Sequence, residues 1–190
     1  MEAGAGRMRV LITGGSGFIG VAIAETLLGR GHEVTCLDVV PGYRLGSVEK
    51  LPGFRLVIGD VQDAALVDSL VSAADFVFHL GAVVGVDEYI QRPLDVLDVN
   101  ILGTRLVLSA CMKHDRPVIF ASSSETYGKA TGLLKEDGDH LFGDLANSRW
   151  SYALTKAVGE QYAVALGRRG LRYAIVRYFN VYGPLMDHPG

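Results

Sequence analysis

The sequence has little of what marks a metalloprotein, a nucleic-acid binder or a membrane protein. Only two of its 190 residues are cysteine, Cys36 and Cys111, far apart and each inside an apolar run. That pattern offers no disulfide framework and fits reduced, buried thiols in a cytoplasmic protein. The five histidines are scattered without ligand spacing, so no metal site is expected. An excess of one charge is missing too. A formal net charge of -3 and a pI near 5.9 leave no electrostatic footprint for nucleic acid or an anionic membrane. No apolar run approaches the ~18 residues of a membrane span. The first residues, Met1 to Arg7, have no apolar signal core, and residues 1–8 read as a loose tail before the first strand.

What is present is a repeated alternation of a short apolar run, a turn and a helical stretch. Strands are expected at Val10–Thr13, Val34–Val39, Phe54–Ile58, Asp75–Leu80, Pro117–Ser122 and Arg172–Asn180. Helices are expected at Phe18–Gly29, Asp63–Ala73, after Pro93, and at Trp150–Arg169. On the first helix the inward residues are read as Ile19, Ala22, Ile23, Leu27 and Leu28, and on the second as Ala65, Leu66, Val67 and Leu70. Continuously apolar strands are those buried on both faces of a parallel sheet. Their alternation with helices implies right-handed crossovers and a doubly wound α/β domain of the Rossmann type over residues 9–184. The one long irregular stretch, Lys129–Arg149, is of a length that in compact domains serves function or mobility.

Directly after the first strand comes Gly14-Gly15-Ser16-Gly17-Phe18-Ile19-Gly20. Gly14 serves a tight turn, Gly17 the close approach of a pyrophosphate, and Gly20 helix-on-strand packing. The helix N-terminus behind them offers free N–H groups and the positive end of a dipole to phosphates. A lone glycine motif is weak, but this one follows a strand, opens a helix and has an acidic partner, Asp38, about 24 residues on. A carboxylate there accepts hydrogen bonds from the adenosine ribose and repels a 2′-phosphate, so the expected cofactor is NAD rather than NADP.

Tyr152 and Lys156 stand four apart on an expected helix and share one face. A tyrosine with a pKa of about 10 is a poor base at neutral pH, and a nearby ammonium is expected to pull that pKa down. Three serines, Ser122, Ser123 and Ser124, end the fifth strand at the sheet edge where sites in open α/β folds form.

Together these residues resemble the extended, sugar-nucleotide-handling branch of the short-chain dehydrogenase/reductases. The resemblance continues at "GDV", where Asp60, followed by Val61, matches the residue at the adenine edge. It runs on through "HLGA", which sets Leu80 and Ala82 beside the middle of the cofactor, with Gly81 where most relatives carry alanine. In "VNILGT", Asn100 matches the asparagine that braces the cofactor and active site; "YALTK" and "RYFNVYGP" complete the set. The resemblance implies that Phe18 and Ile19 also border the cofactor, that Lys156 holds the nicotinamide ribose, and that Ser123 orients the sugar hydroxyl whose proton Tyr152 takes. Glu125, in "SSSETYG", matches a further acid/base of the decarboxylating and dehydrating relatives; the other reading is a helix cap or a partner for a lysine.

The implied activity is transient oxidation at C4 of a nucleotide-sugar, followed by 4-epimerisation, decarboxylation or dehydration. The rival is a non-catalytic NAD(H)-binding redox sensor or regulatory module. Such relatives carry a small C-terminal substrate domain, so that domain is expected to be largely absent, with residues 185–190 as its start and the chain alone inactive. They also dimerise through the helix after Pro93 and the helix carrying Tyr152, which predicts exposed apolar positions on both.

Overall fold

The computed structural model describes residues 6–184 and Met186. Most of the expected tail and, apart from Met186, all of the expected 185–190 segment lie outside the described residues. Six strands form one parallel sheet: β1 (Arg9–Thr13), β2 (Glu33–Asp38), β3 (Phe54–Ile58), β4 (Phe76–His79), β5 (Val118–Ser123) and β6 (Tyr173–Tyr178). Their order is β3-β2-β1-β4-β5-β6. The chain therefore winds outward from β1 in one direction, then crosses back to β4 and winds in the other. Thr13 pairs with Leu37 on one side and His79 on the other, so the carboxyl ends of β1, β2 and β4 finish level. A crevice opens there by topology.

Alternate residues of β1 feed two cores. Val10 and Ile12 pack with Val21, Ala24 and Leu28 of helix α1 (Phe18–Gly29). Leu11 packs on the opposite face, with residues of α2 (Ala64–Ala73), α4 (Pro93–Lys113) and α5 (Trp150–Gly167). Asp63 caps α2, its Oδ1 accepting from Ala65 N and Leu66 N. Pro93 opens α4, where its missing N–H costs nothing.

Four expectations need correction. The buried stripe of α1 is Gly20, Val21, Ala24 and Leu28, while Ala22 is exposed and Ile19, Ile23 and Leu27 are half-buried. The helix is apolar almost all round, so periodicity does not choose its face. The close seat of Gly20 on the glycine turn does. On α2 the buried residues are Val67, Leu70 and Val71, with Leu66 half-buried and Ala65 exposed. A short helix, α3 (Val86–Gln91), was not expected. It buries no residue, so it has no apolar face to read. Finally, Leu94 is the only large apolar side chain of α4 exposed among the described residues, and α5 has none. The two helices pack on each other and share their apolar residues with the core, which leaves a smaller outward patch than predicted.

The Lys129–Arg149 stretch is irregular as expected, held by a bridge between Gly128 and Leu141, by Arg177 donating to Glu136 O and by Phe142 packing edge-on to Trp150. Among the described residues no helix is long and apolar enough to cross a membrane, and no cluster of side chains could hold a metal ion.

Candidate active site

The carboxyl edge of the sheet carries two adjoining cavities of about 480 and 420 Å³ that share Gly14, Gly17, Leu80 and Val84. The first runs past Asp38 and Asp60; the second ends against Ser123, Tyr152 and Lys156. The glycine turn forms their common wall. Gly14 has φ +69°, and a Cβ there would lie 2.8 Å from Gly81 N, so both conformation and space demand glycine. A Cβ on Gly20 would stand 2.6 Å from Gly14 O. On Gly17 it would meet only Gly14 O, at 3.2 Å, with its remaining surroundings open. Gly14 makes the turn, Gly20 packs against it, and Gly17 faces open space. The cradle left at Gly17, in front of the N-terminus of α1, fits a dinucleotide's diphosphate.

Phe18, Ile19 and Gly20 line the second cavity, while Val61 and Ala82 join Asp60 in the first. Asp38 ends β2, with Oδ2 accepting from Ser16 N at 2.9 Å and Oδ1 from Val39 N at 2.9 Å. These bonds aim the carboxylate along the cavity wall. Asp60 Oδ1 accepts from Gln62 N at 2.8 Å, an Asx turn that fixes it at the same wall. Asn100 stands behind the cavity lining. Buried, it accepts from Val83 N at 2.7 Å and donates to Val83 O at 3.1 Å, holding the segment after β4 rather than facing the cavity. Asp38→Ala should weaken NAD binding by roughly 1–3 kcal/mol and narrow the preference over NADP. Calorimetry with both dinucleotides checks it, and equal affinities in the unsubstituted chain would remove the role given to Asp38.

Ser123 and Tyr152 both line the second cavity. Ser123 Oγ accepts from Glu125 N at 3.2 Å, which fixes the hydroxyl at the end of β5. Lys156 is buried, and its Nζ donates to Ala121 O at 2.8 Å and lies 5.7 Å from the centre of the Tyr152 ring. The expected lowering of the Tyr152 pKa by Lys156 is not realised in this arrangement. Burial raises that pKa above 10, the neighbouring Ser123 hydroxyl opposes the rise, and the Glu125 charge and Tyr89 add to it. Desolvation instead lowers Lys156 itself to about 8. The ammonium is turned to a carbonyl, and the phenol is half-buried at the cavity wall.

Glu125 does not line the cavity. It is exposed beside it, its carboxylate 3.6 Å from the Arg149 guanidinium. Three further features were not read from the sequence. Tyr89 of α3 stacks on Tyr152 with centroids 6.3 Å apart. Glu160, a turn beyond Lys156, accepts from Ser122 Oγ and forms a bidentate pair with Arg177 of β6 at 2.7 and 2.9 Å. The four-residue step from Tyr152 through Lys156 to Glu160 was the only available hint. His79 bridges Thr13 Oγ1 at 2.7 Å and Thr104 Oγ1 at 3.0 Å, and full burial lowers its pKa to about 3, so it is neutral.

The chain matches the family described as NAD dependent epimerase/dehydratase over residues 10–190. It is 42% identical over 179 residues to a UDP-N-acetyl-alpha-D-glucosaminuronate decarboxylase from Bacillus cytotoxicus, covering 94% of this chain and 56% of that protein. Among solved structures it resembles a UDP-N-acetylglucosamine 4-epimerase from Methanobrevibacter ruminantium, with 31% identity, a TM-score of 0.86, and 97% of this chain and 58% of that one covered. A dTDP-glucose 4,6-dehydratase from Streptomyces venezuelae, solved with NAD, is 31% identical with a TM-score of 0.83, over 93% of this chain and 57% of that one. The chain spans a little over half the length of these relatives.

Proposed function

The chain belongs to the NAD dependent epimerase/dehydratase family, and on that premise we propose that it is the NAD-binding half of an enzyme that remodels a nucleotide-activated sugar. The observation that carries this is the meeting of Ser123, Tyr152 and Lys156 with the glycine turn around one cavity. NAD, when bound, supplies a hydride acceptor for sugar C4 and can return the hydride. The chain's own residues handle the proton and the orientation. Tyr152 takes the proton of the C4 hydroxyl, Ser123 holds that hydroxyl, and Lys156, one turn beyond Tyr152 in the same cavity, holds the nicotinamide ribose. A redox-sensing module needs none of these three, and their convergence favours the enzyme.

Of the three outcomes we favour decarboxylation of a UDP-activated sugar uronate, supported by the 42% identity to a decarboxylase. Once C4 is a ketone, the C5 carboxylate is beta to it. The C5–carboxylate bond then breaks with its electron pair running into the C4 carbonyl, carbon dioxide leaves, and C5 is reprotonated. Glu125, exposed beside the cavity and 3.6 Å from Arg149, is proposed as the group that governs the proton returned. The test is to incubate the protein, in the longest form its gene encodes, with NAD and a panel of UDP-, dTDP- and GDP-sugars, and to weigh the products. A product lighter by carbon dioxide from a UDP-uronate supports this outcome. Conversion of no nucleotide-sugar overturns the enzyme assignment.

We further propose a cytoplasmic protein, consistent with two free buried cysteines whose thiols burial pushes up to about 12. Assembly is proposed as a homodimer through α4 and α5, supported by the outward Leu94 and by half-buried Leu97, Ile101, Val158 and Tyr162. Light scattering should give twice the chain mass, and a monomer at high concentration would exclude it.

A further inference from the structure

The cavity wall that receives the adenosine half of a dinucleotide is acidic. Asp38, Asp60 and Asp95 all line it, and the one cation lining it among the described residues is Arg92. A diphosphate brings further negative charge to this wall. The N-terminus of α1 offers it a partial positive charge of roughly half a unit, too little to offset three carboxylates. The other lining cation, Lys156, is at the far cavity and turned to Ala121 O.

Arg92 is the hinge residue between α3 and α4, with non-helical backbone angles (φ -131°, ψ 55°). That break brings its side chain to the same cavity as Gly14 and Gly17. Its guanidinium is held by Glu88, with Nε donating to Oε2 at 2.9 Å, and lies 3.6 Å from Asp95 Oδ2. The side chain is 60% exposed. Ion pairs at such exposure stabilise little, so a doubly charged ligand in the cavity competes well against them. A guanidinium also matches phosphate oxygens in a planar, bidentate fashion.

We propose that Arg92 is the residue that binds the cofactor's diphosphate from the α3–α4 side, opposite the glycine turn, exchanging Glu88 for phosphate when the dinucleotide enters. This rests on the NAD-binding assignment above. Glu88 is then a built-in competitor that sets how much of Arg92 is free for the ligand.

The test is calorimetric titration of the chain with adenosine, ADP and NAD. Arg92→Gln should weaken ADP and NAD by about tenfold, the scale of a charge-assisted bond partly screened by water, and leave adenosine nearly unchanged. Arg92→Lys should recover part of the loss. Glu88→Gln, which frees the guanidinium, should tighten ADP by about two- to threefold. The gap between the chain and Arg92→Gln should shrink in high salt. A purely structural role for Arg92 would lower adenosine in parallel with ADP, and that result overturns the proposal. Equal ADP affinity in the chain and Arg92→Gln overturns it as well. If the unsubstituted chain binds neither adenosine nor NAD, the nucleotide assignment itself fails.

Discussion

Tyr152→Phe should leave NAD affinity within about twofold while lowering turnover by roughly 100-fold or more, the usual loss on removing a general acid/base. The substitution deletes one hydroxyl and keeps the ring. Its stack on Tyr89 and its place over Lys156 are ring contacts, so the pocket should keep its shape. What goes is the phenol oxygen facing the cavity, the atom proposed to take the substrate proton. The pH dependence gives a second readout. In the proposed chemistry the base is the phenolate, and burial holds the phenol above its ordinary value of 10, so the ionised fraction is small near neutrality and grows as pH rises. Turnover of the unsubstituted enzyme should therefore climb toward alkaline pH, and Tyr152→Phe should lose that limb. Steady-state rates across pH, paired with calorimetry for NAD, separate loss of chemistry from loss of fold.

Gly14→Ala should abolish measurable dinucleotide binding and lower stability by about 2–4 kcal/mol. Two penalties combine at this position. A φ of +69° strains any residue with a Cβ, and that Cβ would lie 2.8–2.9 Å from backbone atoms of Leu80 and Gly81. Neither neighbour can swing aside as a side chain can, so the turn must open. Opening it disturbs the bond from Gly14 N to Leu37 O at 2.8 Å, and with it the seating of α1. Thermal unfolding and NAD titration should both move. A normal melting temperature with normal NAD affinity would show that the turn is less tightly closed than its contacts imply.

These two positions were legible in the sequence because each announces itself locally. The glycine spacing sits between a strand and a helix, and Tyr152 and Lys156 are one helical turn apart. The sheet was legible for the same reason, since its strands are short apolar runs separated by helices. What escaped is non-local or lacks a pattern. The buried stripe of α1 is set by how Gly20 meets Gly14 and Gly15, not by any asymmetry of the helix. The α3 helix, with Tyr89 and the approach to Arg92, buries nothing and so leaves no periodic trace. The Glu160–Arg177 pair joins α5 to β6, and the His79 bridges join β4 to β1 and α4; each needs the folded sheet to bring its members together. The pKa of Tyr152 escaped for a related reason. Spacing places Lys156 on the right face, but only the fold shows its ammonium committed to Ala121 O.

The central claim is that this chain's residues serve a transient oxidation at the C4 carbon of a nucleotide-sugar. The most direct measurement uses the substrate identified by the product panel, carrying deuterium at C4, turned over with NAD, and follows the label by mass spectrometry in cofactor and sugar. Turnover should be slower with the labelled sugar, and deuterium should appear in the reduced cofactor. Complete conversion with all the deuterium remaining on C4 throughout, and none ever reaching the cofactor, would contradict the claim.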